Sequence, residues 1–403
     1  MKVAYICEPQ VGGTFVFFTQ LRPLLASLGI DFRCIPPVNQ AAYHTSGYWG
    51  QDGVDFLDLS SNTSKALGQI IQHLAQQDFR SVLTLPGCHI LGTALPAYLP
   101  VHIACVAKIP HNGRGTYRPA QEFEPYIEAF APVNYLLADD LAGRYGVPSH
   151  KLKVVHIGIH TERFAYQQRP KHAGPFRIIF VGRLNDLEKN ICLLPDIVRA
   201  TRGLGVPVHC TVVGSGGDGK LLEAKMIRTG QAEHFTLTGA VAYSQIPALL
   251  QQADVFLMPS RFEGCPHALM EAMSTGCVPV VSHLRGTLDR IVEEGVSGLM
   301  APVGNAQAFA RAIVRLAQDT PLRQRMGAAA RRTVLDRFTI AHMAEAYAEV
   351  FQEAALHPSQ NPPPRALADF TPPASMAPTW RQWIPMPVKK MVRTVYGRLG
   401  KSI

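Results

Sequence analysis

Two cations occur where they could bind a phosphate group. The segment GRLNDLEKN follows the apolar run FRIIFV, which places Arg183 at the end of a predicted strand and Lys189 at the opening of the next helix. Two cations beside a helix N-terminus suit a diphosphate, whose charge they neutralise without a metal. The alternative is that both are surface cations that pair with Asp186 and Glu188 nearby.

Two glutamates eight residues apart form the second candidate group. The strand VFLM ends at Met258, and Pro266 is predicted to be the first residue of a helix that carries Glu271. Glu263 then lies in the loop before that helix. Because the helix is apolar on most sides, Glu271 is a poorly solvated acid unless a group donates hydrogen bonds to it, and ligand hydroxyls can do so. The alternative is that Glu263 stabilises the helix dipole and that Glu271 is solvated.

A glycine motif offers a competing interpretation. Gly214, Gly216 and Gly219 form G-x-G-x-x-G after an apolar run, the nominal fingerprint of a dinucleotide site. No acid ends the next run, HFTLTG, where such a site would hold a ribose. We therefore interpret the motif as a tight turn close to the phosphate site.

The elements that must position these residues alternate between strands and helices. Apolar runs separated by helical patterns extend from VAYIC to KVVHI and again from FRIIFVG to CVPVVS, which is typical of parallel sheets with crossover helices. The sequence therefore predicts an α/β protein with two doubly wound domains. The predicted segments are a first domain (1–165), a linker (166–174), a second domain (175–338), a helix (339–356), a proline-rich connector (357–378) and a basic amphipathic tail (379–403).

Composition and charge exclude several classes of protein. Apolar residues make up 47% and charged residues 17% of the 403 residues, which excludes a disordered chain. The longest uncharged stretch, 81–107, contains three prolines and is not predicted to cross a membrane as a helix. The net charge is +9, but the residues from Asn361 onward carry seven cations and one anion. The rest of the chain lacks the uniform basic surface of a nucleic-acid-binding protein, so no nucleic-acid partner is expected.

The cysteines and the first residues indicate a cytoplasmic protein. The eight cysteines include no C-x-x-C pair and lie mostly in apolar runs, so we expect reduced core thiols and neither disulfides nor a zinc site. The opening residues MKVAYICEPQ are too short and too interrupted to be a signal peptide.

These motifs together resemble a known family. The chain resembles, in the order and spacing of four motifs, the nucleotide-sugar domain of the retaining glycosyltransferases of family 4, whose hallmark is E-x7-E. The four motifs are GRLNDLEKN, VVGSGG, TLTGAV and EGCPHALMEAMSTGCVPVVS. The resemblance covers most of residues 1–355. It implies the GT-B fold, two Rossmann-like domains facing a cleft. It also implies sugar transfer from a nucleoside-diphosphate sugar to a saccharide or lipid-linked acceptor, with no cofactor and no metal.

The resemblance assigns roles in the second domain. Arg183 and Lys189 would hold the donor diphosphate, Glu263 would contact hydroxyls of the transferred sugar, and Glu271 would bind the ribose. Backbone groups near the sugar, phosphate or base would come from Gly264, Cys265, Ala240 and Val241.

The resemblance assigns fewer residues in the first domain. Gly12 and Gly13 would form the loop that approaches the donor phosphate and the acceptor, although a glycine pair is also ordinary turn chemistry. His111 resembles the histidine that many members place beside the donor sugar. Lys108 could occupy that position instead, because the spacing between strand and histidine is longer than expected.

Two questions stay open at the level of sequence. The composition of the tail 379–403 suits binding to an anionic membrane surface, which predicts a protein peripheral on the inner face of the cell membrane. The alternative is that the tail packs against the first domain. The functional alternatives are a nucleotide-sugar epimerase or hydrolase on the same fold, and a non-catalytic nucleotide-sugar-binding subunit.

Overall fold

The computed structural model describes residues 1–10, 13–166, 174–356 and 362–377. These residues form two compact units. The first unit comprises Met1–His156 together with the described residues from Ile340 onward, and the second comprises Ile157–Thr339. The predicted tail 379–403 lies outside the described residues, as do Gly12 and most of the predicted linker.

The strands follow the apolar runs of the sequence, which are rich in β-branched and aromatic residues. In chain order they are β1 (Lys2–Ile6), β2 (Asp31–Ile35), β3 (Phe79–Thr84), β4 (Ala104–Ile109), β5 (Ala129–Pro132), β6 (Phe176–Val181), β7 (Val208–Val213), β8 (Phe235–Gly239), β9 (Val255–Met258), β10 (Val278–Ser282) and β11 (Leu299–Ala301).

The helices occupy the amphipathic segments between the strands, and side-chain caps mark several of their starts. In chain order they are α1 (Gly13–Ser27), α2 (Thr63–Gln76), α3 (Ile90–Ala94), α4 (Arg114–Glu122), α5 (Tyr135–Tyr145), α6 (Asp186–Lys189), α7 (Leu194–Gly203), α8 (Gly219–Arg228), α9 (Ile246–Gln252), α10 (His267–Ser274), α11 (Ala306–Gln318), α12 (Thr320–Arg337) and α13 (Ile340–Leu356).

Each unit contains one parallel sheet, which confirms the predicted α/β class and the two Rossmann-like sheets. The strand order is β2-β1-β3-β4-β5 in the first unit and β11-β10-β9-β6-β7-β8 in the second. The direction of winding reverses between β1 and β3 and again between β6 and β9. Open α/β sheets bind ligands beyond the carboxyl ends of the strands at such reversals. A ligand-binding site of the second unit is therefore expected at the loops that follow β6 and β9.

The boundary between the units lies earlier than predicted. Residues 157–165, which were expected to close the first domain, belong to the second unit. The Ile159 N–H donates to the Phe338 carbonyl at 2.9 Å, and Phe164 is fully buried in the second core. The chain thus enters the second unit before the polar segment that suggested a linker.

Helix α13, predicted as a separate C-terminal helix, packs on the first unit. Tyr347 makes an edge contact with Phe17 of α1, with ring centroids 5.3 Å apart. Phe351 packs against Phe32 of β2 at 6.0 Å. The helix therefore supplies aromatic side chains to the core of a unit whose other elements lie far earlier in the chain.

The described part of the proline-rich connector, residues 362–377, is bound along the first unit, and we call it the C-terminal strap. The Arg365 N–H donates to the Ala97 carbonyl at 2.8 Å. Near the other end, two successive backbone N–H groups donate to the Glu122 carboxylate, and the Ser375 nitrogen lies 2.8 Å from it. The segment contains two short 3-10 turns, Leu367–Asp369 and Ala374–Met376, and it is held to the first unit near both ends.

The cysteines are free thiols, and most are in the core as expected. Cys7, Cys34, Cys105, Cys210 and Cys277 are buried. Cys192 and Cys265 are half-buried, and Cys88 is exposed, against the expectation. Within the described part of the chain, no helix combines the length and the apolar character needed to cross a membrane.

Candidate active site

The loops after β6 and β9 are bound to each other at the reversal of the second sheet. The Arg261 N–H donates to the Glu188 carbonyl at 2.8 Å, and Asn190 Nδ2 donates to the Pro259 carbonyl at 3.1 Å. Asn190 is buried and has a φ of 53°, a left-handed conformation that asparagine tolerates. It ends the single turn of α6, so the chain changes direction directly after Lys189. These contacts place Lys189 beside the loop that carries Glu263.

Lys189, which is half-buried, forms an ion pair with the buried Glu263. Lys189 Nζ lies 2.8 Å from Oε1 and 2.7 Å from Oε2 of Glu263. Ser260 Oγ also donates to Oε1, at 2.5 Å. Glu263 is only 3% exposed, so these donors take the place of the water molecules that a surface carboxylate binds. Glu263 therefore does not merely stabilise a helix dipole, and Lys189 does not pair with Asp186 or Glu188.

Arg183 differs from Lys189 in its surroundings. Its side chain is 77% exposed and contacts the Glu188 carboxylate at 3.3 Å. This is the surface pair that the sequence allowed as an alternative, and such pairs contribute little to stability. Arg183 is thus exposed to solvent after the end of β6, while Lys189 is held by its contact with Glu263.

Glycines allow the backbone of the loop after β7 to lie close against the loop after β6. A Cβ on Gly214 would lie 1.9 Å from the Gly182 carbonyl oxygen, and Gly214 has a φ of 135°. A Cβ on Gly216 would lie 2.4 Å from the Leu184 oxygen. The Leu184 N–H donates to the Ser215 carbonyl at 2.9 Å. The glycine motif is therefore a tight turn that supports the backbone leading to Arg183 and Lys189.

Glu271 lies on α10 and is bound by a tyrosine that was not predicted. Glu271 is 5% exposed, and burial raises the pKa of its carboxyl group. Tyr243 Oη donates to Glu271 Oε1 at 2.7 Å, which lowers that pKa in part. Burial, with a further contribution from Glu271, raises the pKa of Tyr243, so the phenol stays protonated and acts as the donor. Glu271 is therefore not the solvated acid that the alternative proposed.

The remaining candidates of the second unit lie in the adjoining loops. Gly264 and Cys265 are half-buried and precede Pro266. Pro266 is the N-cap of α10 and not its first helical residue. Ala240 is exposed in the loop after β8, and the neighbouring Val241 is half-buried against the core beside α10. The structure thus brings the predicted loops to the carboxyl ends of β8 and β9.

The candidates of the first unit lie at the carboxyl ends of β1 and β4. Gly13 is the exposed first residue of α1. His111 is exposed in the loop after β4, with Nδ1 3.2 Å from Thr116 Oγ1. Lys108 is 5% exposed within β4, and its Nζ lies 3.1 Å from the centroid of the Phe17 ring. Of the two alternatives, the exposed loop position belongs to His111.

Sequence reasoning missed three contributors to the site, namely Ser260, Asn190 and Tyr243. Ser260 and Asn190 are close in sequence to predicted residues, so the loops that contain them were identified. Tyr243 is 28 residues from Glu271, and no spacing rule joins them. Its only signal was an aromatic residue just after the loop that contains Ala240 and Val241.

Comparison with known proteins gives a family match in the second unit. Residues 162–333 match the family model described as glycosyl transferases group 1. The amylovoran biosynthesis glycosyltransferase AmsK of Erwinia amylovora is 34% identical over 201 residues, which are 47% of this chain and 48% of AmsK. The chain thus spans about half the length of the curated relatives it matches.

Solved structures share the fold over most of the chain. A glycosyltransferase from Rickettsia africae ESF-5 superposes with a TM-score of 0.72 at 13% identity, covering 88% of this chain and 99% of that one. HepE of Anabaena, solved in complex with UDP, gives a TM-score of 0.68 at 16% identity, covering 88% and 100%. Residues 162–333 are therefore similar to the glycosyl transferases of group 1, and the chain has the GT-B fold.

Proposed function

We propose that this protein is a retaining glycosyltransferase that transfers a sugar from a nucleoside-diphosphate sugar to an acceptor hydroxyl. The observation that carries the proposal is the contact between Lys189 and Glu263 at the reversal of the second sheet. In such a donor the sugar is attached directly to the diphosphate. A cation and a carboxylate that touch each other can therefore bind the two adjacent parts of one donor molecule.

We propose the same roles for the side chains that the family resemblance implies. Lys189 and the exposed Arg183 bind the diphosphate, and Glu263 accepts hydrogen bonds from sugar hydroxyls. Glu271 binds the ribose. Backbone N–H groups of Gly264 and Cys265 add contacts to the sugar or phosphate.

The loop after β8 completes the part of the proposed donor site that the second unit supplies, with Ala240 and Val241 near the base. In the first unit, we propose that Gly13 and His111 have roles in binding the donor. The glycine that precedes Gly13 has the same proposed role and lies outside the described residues.

The proposed reaction needs no enzyme nucleophile. The bond between the anomeric carbon and the leaving phosphate oxygen breaks, and a bond from the acceptor oxygen forms on the same face of the sugar. The proton of the acceptor hydroxyl passes to the leaving phosphate. Lys189 and Arg183 stabilise the charge that develops there, and each such preorganised group is worth about 3 to 4 kcal/mol in comparable sites.

The name of one relative supports a substrate class. AmsK is described as an amylovoran biosynthesis glycosyltransferase, and we propose by analogy that this protein acts in the synthesis of an envelope or extracellular polysaccharide or a glycolipid. Donor consumption measured with and without a saccharide or lipid-linked acceptor tests the proposal. Consumption without acceptor favours an epimerase or hydrolase, and tight donor binding without consumption favours a non-catalytic subunit.

Turnover is expected to persist in excess chelator. Cations of the protein, not an acidic metal site, face the diphosphate in this proposal, so a divalent ion has no charge left to neutralise. Release of nucleoside diphosphate with and without EDTA provides the measurement. A complete loss of activity that added Mg²⁺ or Mn²⁺ restores would contradict the roles of Lys189 and Arg183.

We further propose that residues 379–403 bind an anionic membrane surface. They contain six cations, no acid and two tryptophans, a composition that suits the headgroup region. Each cation contributes about 1 kcal/mol near such a surface. The protein is then peripheral on the cytoplasmic face of the membrane, which favours a lipid-linked acceptor.

Truncation after Ala377 is expected to abolish sedimentation with anionic liposomes. This cut removes the tail but keeps the C-terminal strap, so the fold of the first unit is preserved. The full-length protein should bind liposomes containing phosphatidylglycerol at low salt and lose binding as salt rises, because screening weakens the attraction. Equal binding of both proteins, or no binding by either, would contradict the membrane proposal.

A further inference from the structure

A side chain from outside α10 holds the buried carboxylate of Glu271. Tyr243, in the segment between β8 and α9, donates from Oη to Glu271 Oε1 at 2.7 Å. A carboxylate that is only 5% exposed has lost most of its hydration and must be stabilised by donors. One oxygen of Glu271 is thus occupied by the protein, and Oε2 can accept hydrogen bonds from a ligand.

The phenol ring of Tyr243 is fixed from a second side. The ring lies edge-on against Phe164, with centroids 5.7 Å apart and an interplanar angle of 67°. Phe164 is fully buried, and its carbonyl accepts a hydrogen bond from Ser274 Oγ at 2.9 Å. Tyr243 itself is 49% exposed, so a ligand can reach this corner of the site. The hydrogen bond and the ring contact together restrict the orientation of the phenol.

We infer that Tyr243 is a positioning residue of the nucleotide site, which holds one oxygen of Glu271 so that the other accepts hydrogen bonds from the ribose hydroxyls. The inference rests on the proposed function, in which Glu271 binds ribose. Tyr243 acts through Glu271 and need not touch the nucleotide. It therefore contributes to the discrimination between ribose and sugars that lack these hydroxyls.

Tyr243 also favours the charged form of Glu271. Burial raises the pKa of Glu271, and the hydrogen bond from Tyr243 opposes that shift. The exposed Arg163 lowers the pKa of Tyr243, and among the described residues it is the other charged group that acts on this pair. Without the phenol hydroxyl, the pKa of Glu271 rises further. The carboxyl group is then protonated at a higher pH and accepts hydrogen bonds less well.

Tyr243→Phe tests the inference because it removes only Oη and retains the ring against Phe164. Calorimetric titration with UDP and with GDP is expected to show about tenfold weaker binding of whichever ribonucleotide the wild type binds, the typical effect of losing a hydrogen bond to a charged group. Wild type and variant should bind the 2′,3′-dideoxy form of that nucleotide equally. Tyr135→Phe, at a tyrosine of the first unit that is 41% exposed, is the control and should change neither affinity.

Two further measurements separate positioning from general stability. In a Glu271→Ala background, Tyr243→Phe should cause no additional loss of affinity. As pH falls, the variant should lose affinity for the ribonucleotide at a higher pH than the wild type. An unchanged affinity for the ribonucleotide, or an equal loss for the ribo and dideoxy forms, overturns the inference. If the wild type binds neither UDP nor GDP nor any other ribonucleoside diphosphate, the proposed function fails and the inference fails with it.

Discussion

Replacing Lys189 with methionine is expected to lower turnover by about a hundredfold or more, because the leaving diphosphate loses a charge-assisted contact. Methionine keeps much of the aliphatic stem and removes the charge. The same change leaves Glu263, which is 3% exposed, without its cation. Loss of one partner of a buried pair costs about 3 to 5 kcal/mol, so the unfolding midpoint in denaturant should fall as well. Initial rates at saturating donor and equilibrium unfolding measure the two effects.

A double variant distinguishes catalysis from stability. Lys189→Met combined with Glu263→Gln removes both charges and keeps a side-chain oxygen that can accept from Ser260. It should recover much of the lost free energy of unfolding but not the lost turnover. If the double variant regained turnover, Lys189 would serve only to neutralise Glu263, and the proposed role at the diphosphate would be wrong.

Gly216→Ala is expected to weaken donor binding by at least about tenfold and to destabilise the second unit by about 1 to 3 kcal/mol, the usual cost of overpacking. The added Cβ would lie 2.4 Å from the Leu184 oxygen and 2.7 Å from its nitrogen. These are backbone atoms, so the clash cannot be relieved by rotation of a side chain. The segment from Leu184 to Lys189 must move, and the cation moves with it.

Gly217→Ala is the matched control for this prediction. A Cβ at Gly217 has no other heavy atom within 4 Å, so this change adds the same methyl group one residue away without a clash. Donor affinity and unfolding free energy should stay close to those of the wild type. Equal effects of the two substitutions would show that the glycine turn acts through chain flexibility and not through its contact with the loop after β6.

The sequence predicted those parts of the structure that depend on neighbouring residues. The alternation of apolar runs and helical patterns identified the strands, and Lys189 and Glu263 stood out because each follows a strand. Their mutual contact follows from the strand order, which places β6 beside β9. Once a doubly wound sheet is assumed, that adjacency can be inferred.

The sequence did not predict contacts that join distant segments. Tyr243 meets Glu271 through the arrangement of two loops, and local pattern carries no information about it. The early boundary at residue 157 was missed because Ile159 pairs with Phe338, at the far end of the second unit. The strap was taken for a connector because prolines indicate extended chain but do not indicate which surface it binds.

The two halves of the first unit impose an order on folding during synthesis. Within the described residues the second unit is one continuous segment, Ile157–Thr339, and all of its strands are available once that segment has left the ribosome. The first unit must wait for α13 and the strap, since Ser64 Oγ donates to the carbonyl of Leu367, 303 residues later. Contacts of such long range form slowly, and domains generally fold as units when their residues are complete. The first unit, whose synthesis begins first, is therefore completed after the second unit, and its apolar surface for α13 stays uncovered until Ile340–Leu356 has been made.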